Sequence, residues 1–185
     1  MIFNSRSDLA GQHAFLSPSS YHWINYDDQK LKARFVSAQA AKRGTDLHEL
    51  AHQAIKLGVK LPKSPKTINM YVNDAIGYKM EVEQLLYYSH NCFGHADAIS
   101  FRRRTLRIHD LKTGITKSSQ HQLEVYAALF CLEYGVSPYD INIELRIYQN
   151  DQVYTFEGVP ELIERIMVTI VDFDLKIERM KEEGL

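Results

Sequence analysis

Residues 93–112 read FGHADAISFRRRTLRIHDLK, with apolar and polar residues alternating on both sides of three consecutive arginines. Successive side chains of a β-strand point to opposite faces of the sheet, so this alternation is typical of strands. The stretch therefore predicts two strands, at residues 93–101 and 105–112, joined by a tight turn at the arginines. A third predicted strand, at residues 80–88, precedes them and completes an antiparallel meander.

The turn fixes which residues of the two strands face each other. If Phe101 pairs with Leu106, the same register places Asp97 directly opposite Asp110. Two carboxylates in that position repel each other and destabilise the sheet. A bound divalent cation reverses this effect, because hard metals such as Mg²⁺ prefer carboxylate oxygens. The simpler alternative is that one of the two Asp residues lies at a strand end in water.

Lys112 follows Asp110 by two residues and lies on the same face of the predicted strand. An acid and a lysine at this spacing are more often an ordinary surface pair, so the motif gains weight only beside Asp97. The same alternation directs His109 to the other face, which makes it a poor candidate for the site.

Helical patterns flank these strands. The sequence predicts a short helix near residues 17–23 and a helix over residues 37–56, followed by a weaker one at residues 66–78. A helix from about residue 118 is ended by Gly135, a strand and its return follow at residues 141–148 and 152–156, and Pro160 opens a final helix. This order predicts one α/β (α+β) domain over residues 1–185, with a central mixed sheet flanked by helices.

Two of the predicted helices carry further candidate residues. His48 lies on the helix before the strands, and an imidazole can complete a carboxylate metal site, although a lone helical histidine is more often an ordinary polar residue. Gln122 and Tyr126 are four residues apart and share a helix face. They contact a substrate or position Lys112, or else Tyr126 belongs to the core and Gln122 to the surface.

Composition sets the class of protein. The 185 residues are 45% hydrophobic and 24% charged, with a net charge of −1, which disfavours a protein that coats nucleic acid through overall charge. No apolar run approaches membrane-spanning length and no signal peptide is recognisable, so we expect a cytoplasmic protein without a membrane partner. The two cysteines, Cys92 and Cys131, are too few for a four-cysteine iron–sulfur or zinc site.

Taken in order, the candidate motifs resemble those of the PD-(D/E)XK nuclease superfamily, and within it the RecB-type exonuclease domains, including stand-alone phage and CRISPR-associated forms. The likeness covers about residues 16–148 and rests on four motifs: Gly44-Thr45 with His48, Gly94 to Asp97, Asp110 to Gly114, and Gln122 with Tyr126. Ala96 stands where some members have proline. The iron–sulfur cysteines of some relatives are missing, as is any nucleotide-binding phosphate loop.

This resemblance implies a restriction-endonuclease-like core and a role for each residue. Asp97, Asp110 and the carbonyl of Leu111 bind Mg²⁺ or Mn²⁺ with His48 as a further ligand, and Lys112 orients the attacking water. Gln122 and Tyr126 lie near the DNA strand. The implied function is a divalent-metal-dependent DNA exonuclease of recombination, repair or phage DNA processing. A homo-oligomer and a helicase or recombination protein are the partners implied besides DNA.

Three alternatives accompany this expectation. One is a non-cleaving nucleic-acid-binding module on the same fold, which the retained acids and lysine disfavour. Another is a structure-specific endonuclease, since nothing in the sequence separates attack at ends from attack within a chain. The third is a His-Asp phosphohydrolase suggested by His109-Asp110. Those enzymes are all-helical, whereas this dipeptide lies in a strand-like alternation.

Overall fold

A computed structural model describes residues 14–184, and the chain divides into two compact units, residues 1–46 and 47–185. The prediction of one domain over the whole chain stays a prediction. In the first unit a 3-10 helix over Pro18–Asn25 confirms the predicted short helix, and helix α1 (Asp28–Lys56) follows. The α1 helix begins before the predicted residue 37, because the side chain of Asp27 accepts a hydrogen bond from the Lys30 amide at 2.7 Å and starts it earlier.

The second unit contains the end of α1 and all of the strands. Its further elements are α2 (Thr67–Gly77), β1 (Glu81–Ser89), β2 (Cys92–Arg102), β3 (Thr105–Leu111), α3 (His121–Tyr134), β4 (Asn142–Gln149), β5 (Gln152–Glu157) and α4 (Pro160–Glu182). Each predicted helix and strand is therefore present, with shifts of a few residues at the ends apart from the earlier start of α1. Between residues 14 and 184, none of the helices combines the length and the apolar character that crossing a membrane requires.

The five strands form one mixed sheet in the order β1-β2-β3-β4-β5. The first three form the predicted antiparallel meander, and Phe101 pairs with Leu106 as expected. The β2–β3 turn consists of Arg103 and Arg104, both in the left-handed region at φ 50° and 60°. Two consecutive left-handed residues match the right-handed twist of a tight hairpin. The register that faces Asp97 with Asp110 follows from this turn.

Strand β4 runs parallel to β3, and α3 makes the connection between them. A parallel pair needs such a crossover, because the chain must return to the same edge of the sheet before it starts the next strand. Helix α3 ends at Gly135, whose φ of 62° is the left-handed conformation that glycine adopts without strain. The carboxyl ends of β3 and β4 consequently lie side by side.

Helices cover both faces of this sheet. Helices α3 and α4 pack on one face around Leu106, Ile108, Leu123, Leu145 and Ile163. The end of α1 and helix α2 pack on the other face, around Ala51, Tyr71, Val72, Leu111 and Tyr148. The second unit is thus an α+β fold in which a five-stranded mixed sheet is flanked by helices, as the sequence predicted.

Gly158 marks a close approach between the β5–α4 connection and β4. A methyl group there would lie 2.6 Å from Cγ2 of Ile143, on a buried side chain that has little room to move. We expect Gly158→Ala to lower the free energy of unfolding by about 1–3 kcal/mol, measured by chemical denaturation. Gly77→Ala is the matched control, because nothing lies within 4 Å of its added methyl. Equal stability of the two variants would contradict this packing.

Candidate active site

The β2–β3 hairpin places Asp97 beside Asp110. The last ladder pair is Ala98 with His109, so the next pair along the two strands is Asp97 with Asp110. Beyond that pair, the Asp97 side chain takes the place of a ladder acceptor: its Oδ2 accepts a hydrogen bond from the Leu111 amide at 3.0 Å. The predicted acid pair therefore lies at the end of the hairpin where the β2–β3 ladder stops.

Asp110 is buried, with 3% of its surface exposed. The Lys112 ammonium lies 3.1 Å from its Oδ2 and forms an ion pair with it, and no other donor among residues 14–184 reaches this buried oxygen. Burial, and then the nearby charge of Asp97, raise the pKa of Asp110, while Lys112 opposes them. The carboxyl is held in surroundings that favour an additional positive charge.

Lys112 is connected to both residues predicted on α3. Its ammonium donates a hydrogen bond to Oε1 of Gln122 at 3.0 Å, and the Gln122 amide donates to the Tyr126 hydroxyl at 3.3 Å. Gly94 permits this arrangement, because a methyl group on it would lie 3.1 Å from Cε1 of Tyr126. Gln122 therefore holds the lysine directly and Tyr126 holds Gln122, while Tyr126 also packs against the core and Gln122 is exposed, as the simpler alternative predicted.

His48 faces the acid pair from α1. Its Nδ1 lies 3.8 Å from Oδ2 of Asp97, and about a third of its side chain is exposed. The structure thus brings His48, Asp97, Asp110, Lys112, Gln122 and Tyr126 together at the end of β3. Leu111 takes part through its amide, and its side chain lies in the core.

Glu83 and His52 also belong to this site, and sequence reasoning missed both. Glu83 lies between Val82 and Gln84, which pair with Ala98 and Ala96, so it faces Asp97 across the β1–β2 ladder. Its φ of 52° is unusual within a strand, and such residues collect at functional sites. Nδ1 of the buried His52 lies 3.1 Å from Oε1 of Glu83. The four-residue spacing of His48 and His52 was a usable signal, whereas nothing in the sequence marks Glu83.

Tyr71 reports the concentration of negative charge at this site. It is fully buried, and its hydroxyl has no hydrogen-bond partner within the described residues. Burial raises the pKa of Tyr71, and the charges of Asp97, Asp110 and Glu83 raise it further. Three carboxylates therefore act on one phenol, which indicates a local excess of negative charge.

The donor set suits a hard divalent cation. Carboxylate oxygens with an imidazole are ligands that Mg²⁺ and Mn²⁺ accept, and Asp97, Asp110 and His48 supply both kinds. Within residues 14–184, however, no three His, Cys, Asp or Glu side chains already stand close enough together to hold a metal ion. Binding would therefore have to draw the ligands inward from their present positions.

His109 lies on the opposite face of β3 from Asp110, as the alternation predicted. It is fully buried, its Nδ1 lies 3.2 Å from the Tyr148 hydroxyl, and its Nε2 is 4.0 Å from Glu144. The Tyr148 hydroxyl in turn donates to Asp74 at 2.7 Å. His109 thus belongs to a polar network between the sheet and α2, away from the acid pair.

This network predicts a dependence of stability on pH. Burial lowers the pKa of His109 although Glu144 opposes it, so the folded protein keeps this imidazole neutral at a pH where the unfolded chain protonates it. Its contribution is complete above the unfolded pKa of about 6.5 and is lost as the pH falls towards the lower folded value. We expect the free energy of unfolding to fall between about pH 7 and pH 5, by at most about 1.4 kcal/mol per pH unit from this group. Urea denaturation should show a flatter profile for His109→Gln, and parallel profiles would contradict the assignment.

The contacts form two groups around the end of the hairpin. On one side, Glu83 and His52 lie beside His48 and Asp97; on the other, Asp110 and Lys112 lead to α3. A phosphate-sized anion would meet Lys112 on the same side as the carboxylates, and such a mixture of charges can act on a phosphodiester. Comparison of the chain with protein-family models, with curated proteins and with solved structures found no match.

Proposed function

We propose that this chain is a divalent-metal-dependent deoxyribonuclease with a restriction-endonuclease-like core of the PD-(D/E)XK type, acting as an exonuclease. The observation that supports it most is the position of Lys112, whose ammonium lies 3.1 Å from Asp110 beside the Asp97–Asp110 pair. The motif order and the α+β fold with its mixed sheet are compatible with this assignment.

Phosphodiester hydrolysis requires a nucleophile at neutral pH, stabilisation of charge on the phosphorus oxygens, and help for the departing oxygen. Mg²⁺ or Mn²⁺ bound by Asp97, Asp110, His48 and the Leu111 carbonyl would supply Lewis acidity and a more acidic bound water. Lys112 would place its ammonium where negative charge grows on the phosphate. It would also hold the attacking water by a hydrogen bond.

Gln122 and Tyr126 have a supporting part in this proposal. Lys112 donates to Gln122 on α3, and Gln122 donates to Tyr126 on the same helix, so α3 fixes the position of the ammonium relative to the acid pair. A lysine side chain is flexible, and fixing it removes part of the entropy cost of reaching the reactive arrangement. In this proposal the exposed Gln122 would also contact the DNA backbone.

A second candidate, a non-cleaving nucleic-acid-binding module, is favoured by one observation. Among the described residues, no three potential ligands are gathered for a metal. The presence of Asp97, Asp110 and Lys112 together opposes this candidate, because a module that only binds has no need to keep both acids beside the lysine. Metal binding separates the two candidates directly.

The experiment is a calorimetric titration with Mg²⁺ or Mn²⁺, followed by a gel assay on linear DNA, closed circular DNA and RNA. We expect metal binding, and degradation of linear DNA with closed circles spared. Cutting of the circles would indicate the alternative, a structure-specific endonuclease. DNA binding without metal binding or hydrolysis would support the non-cleaving module and reject the nuclease.

A further inference from the structure

A depression of about 610 Å³ lies at the opposite end of the β2–β3 hairpin from the acid pair. It is lined by the end of α2 and by the two strands around their turn: Gly77, Tyr78, Lys79, Arg102, Arg103, Thr105 and Arg107. We call these seven residues the turn cleft. Four of them carry a positive charge and none carries a negative one, so the cleft suits an anionic ligand.

Three of the four charges are available to a ligand. Lys79, Arg102 and Arg103 are exposed, and no carboxylate within residues 14–184 forms a salt bridge with any of them. The fourth, Arg107, lies 3.3 Å from Glu144, which fixes its position and offsets its charge. Its guanidinium also lies over the Tyr78 ring, 4.6 Å from the centroid. Arg107 is therefore a cation in a fixed position, and Lys79, Arg102 and Arg103 carry positive charges that no carboxylate among the described residues offsets.

The backbone at two of these cations is an independent observation. Lys79 and Arg103 adopt left-handed conformations, with φ of 53° and 50°. Glycine and asparagine are the residues that fit the end of a helix and a two-residue hairpin turn at low cost. A basic side chain at Arg103 brings no benefit to the hairpin turn itself, whereas Lys79 also complements the C-terminal dipole of α2. Strained residues of one charge that line one cleft are typical of a binding surface.

We infer that the turn cleft binds the phosphodiester backbone of a nucleic acid, at a distance from the cleaved bond. Thr105 and Asp110 are five residues apart on β3, which corresponds to roughly 17 Å along the strand. In duplex DNA this distance spans about five base pairs. The separation between the cleft and Lys112 along the strand is thus within the length of one short DNA duplex. The choice of DNA as ligand rests on the proposed function, whereas the affinity for phosphate rests on the cleft alone.

A polyanionic backbone fits the cleft better than a single carboxylate does. Arginine guanidinium groups match phosphate oxygens in bidentate geometry, and two free arginines with one lysine suit neighbouring phosphates. The chain as a whole has a net charge of −1, so attraction to DNA depends on local groups such as these. Contacts of this kind set affinity and orientation and carry no base specificity.

The test uses the double variant Arg102→Gln/Arg103→Asn in the full chain, in which asparagine keeps the left-handed turn. Fluorescence anisotropy with a labelled DNA hairpin of about 20 base pairs in EDTA measures binding without hydrolysis. We expect at least about a tenfold rise in Kd and a salt slope lower by about two, because two phosphate contacts are lost. The control, Lys60→Gln/Lys63→Gln, removes the same charge from the exposed loop before α2 and should leave both values unchanged.

With metal present, the double variant should raise KM and keep kcat at saturating DNA. Unchanged Kd and slope, an equal loss in the control, or a fall in kcat alone would overturn the inference. So would competition by polyglutamate as strong as that by DNA, since the cleft would then take an acidic polypeptide. A chain that binds through the cleft and cleaves nothing would reject the nuclease and keep the cleft. A double variant that binds and cleaves DNA like the parent protein would keep the nuclease and reject the cleft.

Discussion

Asp110→Asn abolishes metal-dependent DNA cleavage, and Lys112→Met lowers kcat by about 10²–10³-fold; these are the largest effects on activity that we expect. The asparagine removes the negative charge that a divalent cation requires of Asp110, and the methionine removes the ammonium that lies 3.1 Å from Asp110. Neither change should unfold the protein. In EDTA, the Tm of Asp110→Asn should rise, because burial and Asp97 already disfavour the charged carboxyl.

Steady-state cleavage of linear DNA and thermal unfolding of each variant check this expectation. Asp172→Asn and Lys176→Met are matched controls, since they make the same chemical changes in an exposed ion pair on α4. Both controls should cleave like the parent protein. Full activity in either site variant would remove Asp110 or Lys112 from the reaction centre. Inactivity joined to a lower Tm would instead indicate damage to the fold.

Gln149→Leu should give the largest loss of stability, about 2–4 kcal/mol, together with weaker cleavage. Gln149 is buried at the end of β4, and its side-chain amide donates to the carbonyls of Gly114 and Thr116 at 2.6 and 2.7 Å. Its Oε1 accepts a hydrogen bond from the Ser118 amide at 3.1 Å. A leucine fills the same space and leaves these backbone groups without partners, at a cost of about 1–3 kcal/mol for each one that stays buried.

The cleavage activity of Gln149→Leu should fall because residues 114–118, which Gln149 holds, connect Lys112 to α3, the helix that carries Gln122. Urea denaturation and cleavage kinetics measure the two effects, and Gln152→Leu is the control, because Gln152 is the exposed ladder partner of Gln149. The control should change stability by less than about 0.5 kcal/mol. A Gln149→Leu protein as stable as the parent would show that water or other groups hold residues 114–118. Lost stability with parental kcat would show that Lys112 does not depend on this segment.

Local alternation and turn spacing were enough to predict the hairpin and its register. Phe101 pairs with Leu106 because both strands alternate up to the turn, and a one-residue slip would expose the buried faces. The turn itself gave no glycine or asparagine signal, since Arg103 and Arg104 occupy it. Strand alternation alone was nevertheless enough to derive the position of Asp97 opposite Asp110 from the sequence.

Other parts of the site depend on contacts that no local pattern carries. Glu83 reaches the acid pair through a left-handed backbone angle, which alternation does not encode. Tyr71 and Gln149 read as ordinary core and strand residues until α2 and the segment after β3 are placed against the sheet. The early start of α1 was missed although Leu31 and Phe35 already stand at helical spacing before residue 37.

Gly94 lies under the Tyr126 ring, and this close approach makes the acid–lysine site sensitive to a residue that takes no part in chemistry. A side chain at position 94 would push Tyr126 outward by a few tenths of an ångström. Gln122 would move with Tyr126, and the hydrogen bond that fixes the Lys112 ammonium beside Asp110 would be lost. In a random mutagenesis screen, substitutions at Gly94 should accordingly give inactive but fully folded variants. An assay that measures stability alone would not detect them.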